Sequence, residues 1–195
     1  MKSIYVALIL VVFGLMIGVG GCNNYNAFIE LDENVAQAWG EVQTNYQRRS
    51  DLIGNLVETV KGAANFEQET LTGIAEARAK ATSINIDPSN LSADQLQAFE
   101  NAQAGLSQSL GRLLVSVEKY PELKANQNFL ELQSQLEGTE NRISVSRTRY
   151  NEAVTSYNKK IRRFPSSIYA SVLGFERETA FTASEAAQSA PQVKF

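Results

Sequence analysis

The hydrophobic residues of the chain form one uninterrupted run near the N-terminus and several periodic stripes beyond it. Residues 4–21 carry no charge, and as a helix they would span about 27 Å, close to the hydrocarbon thickness of a bilayer. Lys2 precedes this run, and acidic residues follow it at Glu30, Asp32 and Glu33. By the positive-inside rule, this pattern predicts a single-pass membrane helix with a cytoplasmic N-terminus and an exported C-terminal domain.

The end of the apolar run also fits a different anchor. The sequence Val19-Gly20-Gly21-Cys22 resembles a lipobox, in which small residues precede a cysteine, and this is the only cysteine of the chain. Cleavage there would leave a lipid-anchored chain that begins at Cys22. We therefore assign residues 1–24 to a membrane anchor, either a transmembrane signal anchor or a lipoprotein signal. A cleaved secretion signal would also export the domain.

From residue 25 onward, apolar residues recur at steps of three and four, which is typical of amphipathic helices. The first stripe runs from Leu31 to Ala81 and predicts one long helix, with a kink expected at Gly54 because glycine weakens a helix interior. A loop containing Pro88 follows this stripe, since proline forces its predecessor away from helical dihedral angles.

Two more long helices follow the loop. Ser92 and Gln95 have the spacing of a capping box, which predicts the start of the second helix, and Pro121 ends it. The third begins near residues 124–126 and ends at Pro165, with apolar residues at nearly 3.5-residue spacing, as in a coiled coil.

These stripes must be buried against one another, which predicts an all-α fold: an N-terminal membrane helix followed by an elongated antiparallel up-and-down bundle. The bundle has three long helices, or four if the first folds back near Gly54. We assign residues 25–175 to this domain, with a short helix in 166–175 that folds over one end. The small and polar residues of 176–195 predict a flexible C-terminal tail.

Composition excludes several kinds of function. The chain has no histidine and one cysteine, which removes catalytic systems based on histidine and metal sites that need histidine or several cysteines. A net charge of -3 argues against nucleic acid as a partner. We therefore expect no catalytic residue, no metal, no cofactor and no small-molecule substrate.

Several strings in the chain resemble the LemA family. They include Leu31-Asp32-Glu33-Asn34-Val35, Gln47-Arg48-Arg49-Ser50-Asp51-Leu52-Ile53-Gly54-Asn55-Leu56-Val57-Glu58, Pro121-Glu122-Leu123-Lys124-Ala125-Asn126, Leu136-Glu137-Gly138-Thr139-Glu140-Asn141-Arg142 and Tyr150-Asn151-Glu152-Ala153-Val154. The resemblance implies a bacterial cell-envelope protein with a short cytoplasmic N-terminus, one membrane helix and a helical bundle. It implies no established enzymatic activity, and a family context of envelope proteases. Gly54 stands where the family usually has proline, and Cys22 is not part of the family pattern.

Two polar strings are candidates for a site. Arg48 and Arg49 of the first helix could pair with Glu137, Glu140 and Asn141 of the last helix in a buried network that fixes the register of the bundle. Alternatively, this cluster is a recognition surface for a partner.

Three further features concern the ends of the bundle. Trp39 is predicted to lie in the core and Tyr25 at the membrane interface, because Trp39 would lie about 21 Å further along the helix. The end of the last helix carries a basic cluster. The favoured interpretation is that it complements the negative end of the helix dipole, and the second is that it contacts anionic lipid. Its residues are Lys159, Lys160, Arg162 and Arg163.

Together these features predict a membrane-anchored, non-enzymatic protein that acts in the cell envelope as a scaffold or adaptor for protein-protein interaction. The alternative is a self-associating structural membrane protein. A metal-dependent hydrolase is the least favoured interpretation, because an elongated bundle without histidine offers few convergent ionisable groups.

Overall fold

The computed structural model describes residues 2–62, 66–84, 86 and 91–182, with side chains from Gly20 onward. All the regular elements in these ranges are helical, which confirms the all-α class. The helices are α1 (Lys2–Lys61), α2 (Gln68–Ser83), α3 (Ala93–Val117), α4 (Pro121–Lys124), α5 (Gln127–Arg162) and α6 (Ser166–Leu173).

The single helix expected through Ala81 is wrong, because two helices cover this stretch; of the two alternatives, the chain folds back, but beyond Gly54. α1 continues to Lys61, and the chain reverses between this residue and the start of α2 at Gln68. Gly54 lies inside α1, where an added Cβ would be 3.1 Å from the Cζ of Arg78. The missing side chain therefore makes room for a guanidinium group from α2, which gives a packing reason for glycine at a helix-propensity cost of about 1 kcal/mol.

The long helices run alternately up and down. Next to Gly54, the Nε of Arg78 donates to the backbone oxygen of Ser50 at 2.9 Å, so α2 runs back along α1. Glu67, just before α2, pairs with Lys119, just after α3, at 2.9 Å, so α3 is antiparallel to α2. The chain does fold back, after Lys61, which is seven residues beyond Gly54. The result is a bundle of four long helices.

The fourth long helix, α5, packs along α1 in the opposite direction. Arg149 in its second half pairs with Glu41 of α1 at 3.2 Å, and Ser166, beyond its end, bonds to Asn24 at 2.7 Å. The start of α5 is capped by Asn126, whose side chain accepts from the backbone N–H of Asn128 at 2.9 Å. α5 therefore ends beside the first residues of α1 that the structure describes with side chains.

The sequence signals at helix ends are confirmed. The side chain of Ser92 accepts from the N–H of Gln95 at 3.2 Å, and the Gln95 side chain accepts from the N–H of Ser92 at 3.0 Å. This reciprocal capping box begins α3. α5 ends at Arg162, just before Pro165.

The core divides into an aromatic part near α6 and an aliphatic part near the α1–α2 reversal. Trp39 is fully buried in the aromatic part, as predicted, with the rings of Phe99 and Tyr150 at 5.7 and 5.3 Å. The aliphatic part is built from side chains such as Leu56, Ile74, Leu106 and Leu113. Tyr25 is largely exposed and meets Phe175 edge to face.

Residues 176–182 do not follow the tail expected from the sequence. They form an extended segment packed on α5, here named the C-terminal strap, and its Phe181 is only 6% exposed. The ring of Phe181 stacks on Trp39 at 5.8 Å and lies under the guanidinium of Arg147 at 4.3 Å. The remainder of the predicted tail, residues 183–195, lies outside the described residues.

In the part of the chain that the structure describes, no helix is both long and apolar enough to cross a membrane. α1 includes the apolar run, but the side chains of residues 1–19 lie outside the description. The membrane helix of residues 4–21 therefore stays a prediction.

Candidate interaction surfaces of the bundle

Arg49 is the most deeply buried charged residue in the described part of the chain, with 3% of its surface exposed. Its guanidinium donates to the backbone oxygen of Gln103 at 3.3 Å and also to the Gln103 side chain. It donates further to the hydroxyl of Ser107 at 3.1 Å and to Glu140 at 3.2 Å. Arg49 also lies over the ring of Tyr46 at 5.0 Å. One side chain of α1 thus contacts both α3 and α5.

The five predicted network residues do not form one buried cluster. Arg49 and Glu140 meet, but Arg48, Glu137 and Asn141 are exposed. Glu137 accepts a hydrogen bond from Gln133 of its own helix at 3.2 Å. Exposed residues remain hydrated and do not need to pair with one another. The network predicted from helix spacing alone was therefore too large.

Sequence reasoning missed Gln103 and Ser107, the α3 partners of Arg49. Gln103 is buried, follows Ala102 in the apolar stripe of α3, and also donates to the backbone oxygen of Ala81 at 3.5 Å. The sequence signal that could have revealed these partners is the polar residue Gln103, which lies next to a position of the apolar stripe. A polar residue there needs a buried partner, and Arg49 supplies it.

A second feature is an open groove of about 900 Å³ between α1 and α2, here named the α1–α2 groove. Gly54 lies in it, and charged pairs flank it: Asp51 with Arg78 at 3.7 Å, and Glu58 with Lys61 at 2.6 Å. These pairs contribute little to stability, so the exposed side chains of Asp51, Glu58 and Lys61 remain available to a ligand. The groove is lined by Gln47, Asp51, Gly54, Asn55, Val57, Glu58, Lys61, Ile74, Ala75, Arg78, Ala79 and Thr82.

The ionisable groups with shifted pKa values in the core are phenols. Burial raises the pKa of Tyr46 and, assisted by the carboxylates of Asp32, Glu178 and Glu176, raises the pKa of Tyr157 to about 12. Both phenols therefore stay neutral near pH 7. Among the described residues, no three Asp, Glu, Cys or His side chains are grouped so as to hold a metal ion.

The four antiparallel helices, the buried arginine and the open groove define an elongated helical-bundle protein whose accessible features are surfaces. The chain belongs to the LemA family, whose sequence model matches residues 38–195. The matched part includes α1 from residue 38 onward, all later helices and both walls of the α1–α2 groove.

The chain is similar to three named relatives. Magnetosome proteins MamQ 1 and MamQ 2 of Paramagnetospirillum magneticum are each 26% identical to it over 174 residues, which cover 80% of this chain and 64% of the relative. Protein LemA of Metamycoplasma hominis is 28% identical over 155 residues, covering 79% of this chain and 67% of that protein. The chain thus spans less than two thirds of the length of the two MamQ proteins.

Proposed function

We propose that this LemA-family protein is a membrane-anchored, non-enzymatic adaptor of the cell envelope, and that its bundle binds a helical segment of a partner protein in the α1–α2 groove. The observation that carries the proposal is the groove itself. It lies between two helices, and no described element covers it.

The dimensions of the groove fit a helix. On α1 it extends from Gln47 to Lys61, which is about 21 Å, or four helical turns. Small side chains at Ala75 and Ala79 let another backbone approach closely. Asp51 and Arg78 supply both signs of charge, which favours a partner helix with complementary polar positions.

The anchor rests on the sequence of residues 4–21, which are apolar and continue into the same helix as the groove. We propose a single pass with the bundle exported; lipid attachment at Cys22 is the alternative. Cys22 is exposed on α1, so the fold leaves its thiol accessible. The MamQ relatives are named as magnetosome proteins, and association with a membrane agrees with that name.

Photo-crosslinking in intact cells tests the adaptor role. A photoreactive amino acid replaces Asn55 in the groove or, as a control, Gln97, which is exposed on α3 outside it. The proposal expects a discrete crosslink to another protein from position 55 and none from position 97. Ala79→Trp should fill the groove and abolish the crosslink, whereas Ala98→Trp on exposed α3 should leave it intact.

Other outcomes contradict the proposal in defined ways. Crosslinks only between copies of the chain would replace the adaptor by a self-associating structural protein. Equal crosslinking from positions 55 and 97 would show that the groove has no special role.

A further inference from the structure

The end of the bundle formed by α6 exposes an unusual number of large apolar side chains. Phe164 is 83% exposed, Val172 is 81% exposed and Ile168 is 55% exposed, although all three belong to one short stretch. Residues 164–175 include no charged side chain. Ile168 and Val172 are four residues apart in α6, so they share one face, opposite the buried Ser166 and Ala170.

The level of α6 along α1 can be read from its contacts. Ser166 donates to the Asn24 side chain at 2.7 Å, and an added Cβ at Gly20 would lie 3.0 Å from the Tyr169 hydroxyl. Just after α6, the ring of Phe175 packs against the ring of Phe28 in α1, with centroids 5.0 Å apart. α6 therefore crosses α1 at the point where the apolar run of residues 4–21 ends.

Basic residues lie next to this apolar face. Arg162 and Arg163 directly precede Phe164 and are exposed, and Lys159 and Lys160 lie one turn earlier on α5. None of the four forms an ion pair with a described residue. The nearest acidic residues along α1, from Glu30 onward, lie at least nine residues beyond Gly21, about 13 Å further along the axis.

We propose that α6 is an interfacial membrane-binding helix that lies on an anionic bilayer beside the anchor. Phe164, Ile168 and Val172 enter the boundary between headgroups and acyl chains, and the four basic residues contact lipid phosphates. The inference deepens the proposed function and rests on its membrane anchor. Uncharged apolar residues preceded by four cations match this surface in polarity and charge, although Glu176, Arg177 and Glu178 follow them on the strap.

A second copy of the chain fits this face less well. In a symmetric pair, each copy presents the same patch to the other, so the two basic clusters would approach each other. A bilayer that contains anionic lipid instead attracts these cations. The patch lies beside Gly20 and Gly21, the last residues of the apolar run. This position further favours a membrane.

Depth-dependent quenching tests the inference on the full chain, synthesised cell-free into vesicles. In a Cys22→Ser background, a fluorophore is attached to Ile168→Cys or Val172→Cys, with Val115→Cys of α3 as the exposed control. The vesicles contain an equal mixture of phosphatidylglycerol and phosphatidylcholine, with lipids spin-labelled near the headgroup. We expect at least about a twofold loss of fluorescence at positions 168 and 172 and none at position 115.

A separate measurement reports the anchor. Flotation of the same vesicles after an alkaline wash shows whether the chain is inserted, irrespective of α6. Flotation with no quenching at position 168 or 172 would refute the α6 inference and leave the anchor intact. Failure to float would refute the anchor itself.

Charge dependence and self-contact complete the test. Replacing phosphatidylglycerol with phosphatidylcholine, or making the four substitutions Lys159→Gln, Lys160→Gln, Arg162→Gln and Arg163→Gln, should reduce the quenching. Quenching unchanged by both would overturn the role of the basic cluster. Disulfide-linked dimers through Ile168→Cys, without lipid quenching, would assign the face to a second copy.

Discussion

The side-chain amide of Asn151 and the backbone of Phe181 form two hydrogen bonds, one in each direction. Asn151 donates to the carbonyl oxygen of Phe181 at 3.0 Å and accepts from its N–H at 2.9 Å. Asn158, two turns later on α5, does the same for Glu178, at 2.8 Å as donor and 3.0 Å as acceptor. Two asparagines on one helix face thus hold the C-terminal strap as a β-strand partner would.

Replacing Asn151 with leucine should therefore release the strap. It removes both hydrogen bonds to Phe181 and leaves two backbone groups unpaired, at a cost of about 1–3 kcal/mol each if they stay buried. Trp39, the only tryptophan, should then shift its emission to longer wavelength and become more accessible to acrylamide. Asn45→Leu is the control, because among the described residues the Asn45 side chain bonds only within α1, to the oxygen of Glu41. An unchanged Trp39 signal in Asn151→Leu would contradict this view of the strap.

Substitutions of Arg49 and of its partner Glu140 should lower the free energy of unfolding by different amounts. Arg49→Lys loses most of the bonds to Gln103 and Ser107 and should lower the free energy of unfolding by about 1–3 kcal/mol. Glu140→Gln should cost less than about 1 kcal/mol, because the Glu140 side chain is 60% exposed. Urea denaturation measures both, with Arg48→Lys on the exposed side of α1 expected to be nearly neutral. Equal losses from the Arg49 and Glu140 variants would show that the ion pair dominates.

Strap binding should weaken as the pH rises. Burial, followed by the Asp32 carboxylate, raises the pKa of Glu178 above its ordinary value of 4.5. Protonated Glu178 therefore favours the bound strap. This contribution is complete below about pH 4.5 and is lost as the pH rises through the raised pKa.

Acrylamide quenching of Trp39 across this range measures the effect. Quenching should increase toward neutral pH in the unmodified chain and increase less in Glu178→Gln, which cannot ionise. Glu176→Gln, two residues away and exposed, is the matched control. The prediction fails if Glu178→Gln has the same pH profile as the unmodified chain. Tyr157 contributes nothing here, because its pKa is about 12.

Two glycines of α1 should respond differently to alanine. At Gly40 no atom lies within 4 Å of an added Cβ, so Gly40→Ala should stabilise the helix by about 0.5–1 kcal/mol. At Gly54 the Cβ would meet the Arg78 guanidinium at 3.1–3.3 Å and disturb its bond to Ser50. Gly54→Ala should therefore gain less than Gly40→Ala or lose stability. Thermal unfolding of both variants checks this, and equal gains would show that Arg78 moves freely.

Local signals in the sequence predicted the elements well. The capping box at Ser92, the end of α5 before Pro165 and the burial of Trp39 each depend on residues close in the chain or on a single stripe. These features follow from helix geometry and hydrophobic periodicity. Gly54 failed as a break signal, because its packing against Arg78 depends on a contact 24 residues away.

The candidate sites depended on long-range contacts and were predicted less well. Nothing local reveals that Gln103 and Ser107 receive Arg49, or that Asn151 binds Phe181 from 30 residues away. The strap looked like a tail because its polar composition resembles that of residues 183–195. Its order comes from asparagine side chains on another element, which composition does not show.

The unbroken course of α1 from Lys2 to Lys61 couples its two ends mechanically. A rotation of its N-terminal part about the helix axis would be transmitted as torque to the groove, because no hinge intervenes. The rotational position of each residue on this continuous helix is fixed relative to the others. One residue inserted after Asn26 would therefore turn Gly20 and Gly21 by about 100° away from Tyr169. The contacts of α6 with Gly20 and Gly21 therefore set the rotational position of this end of α1.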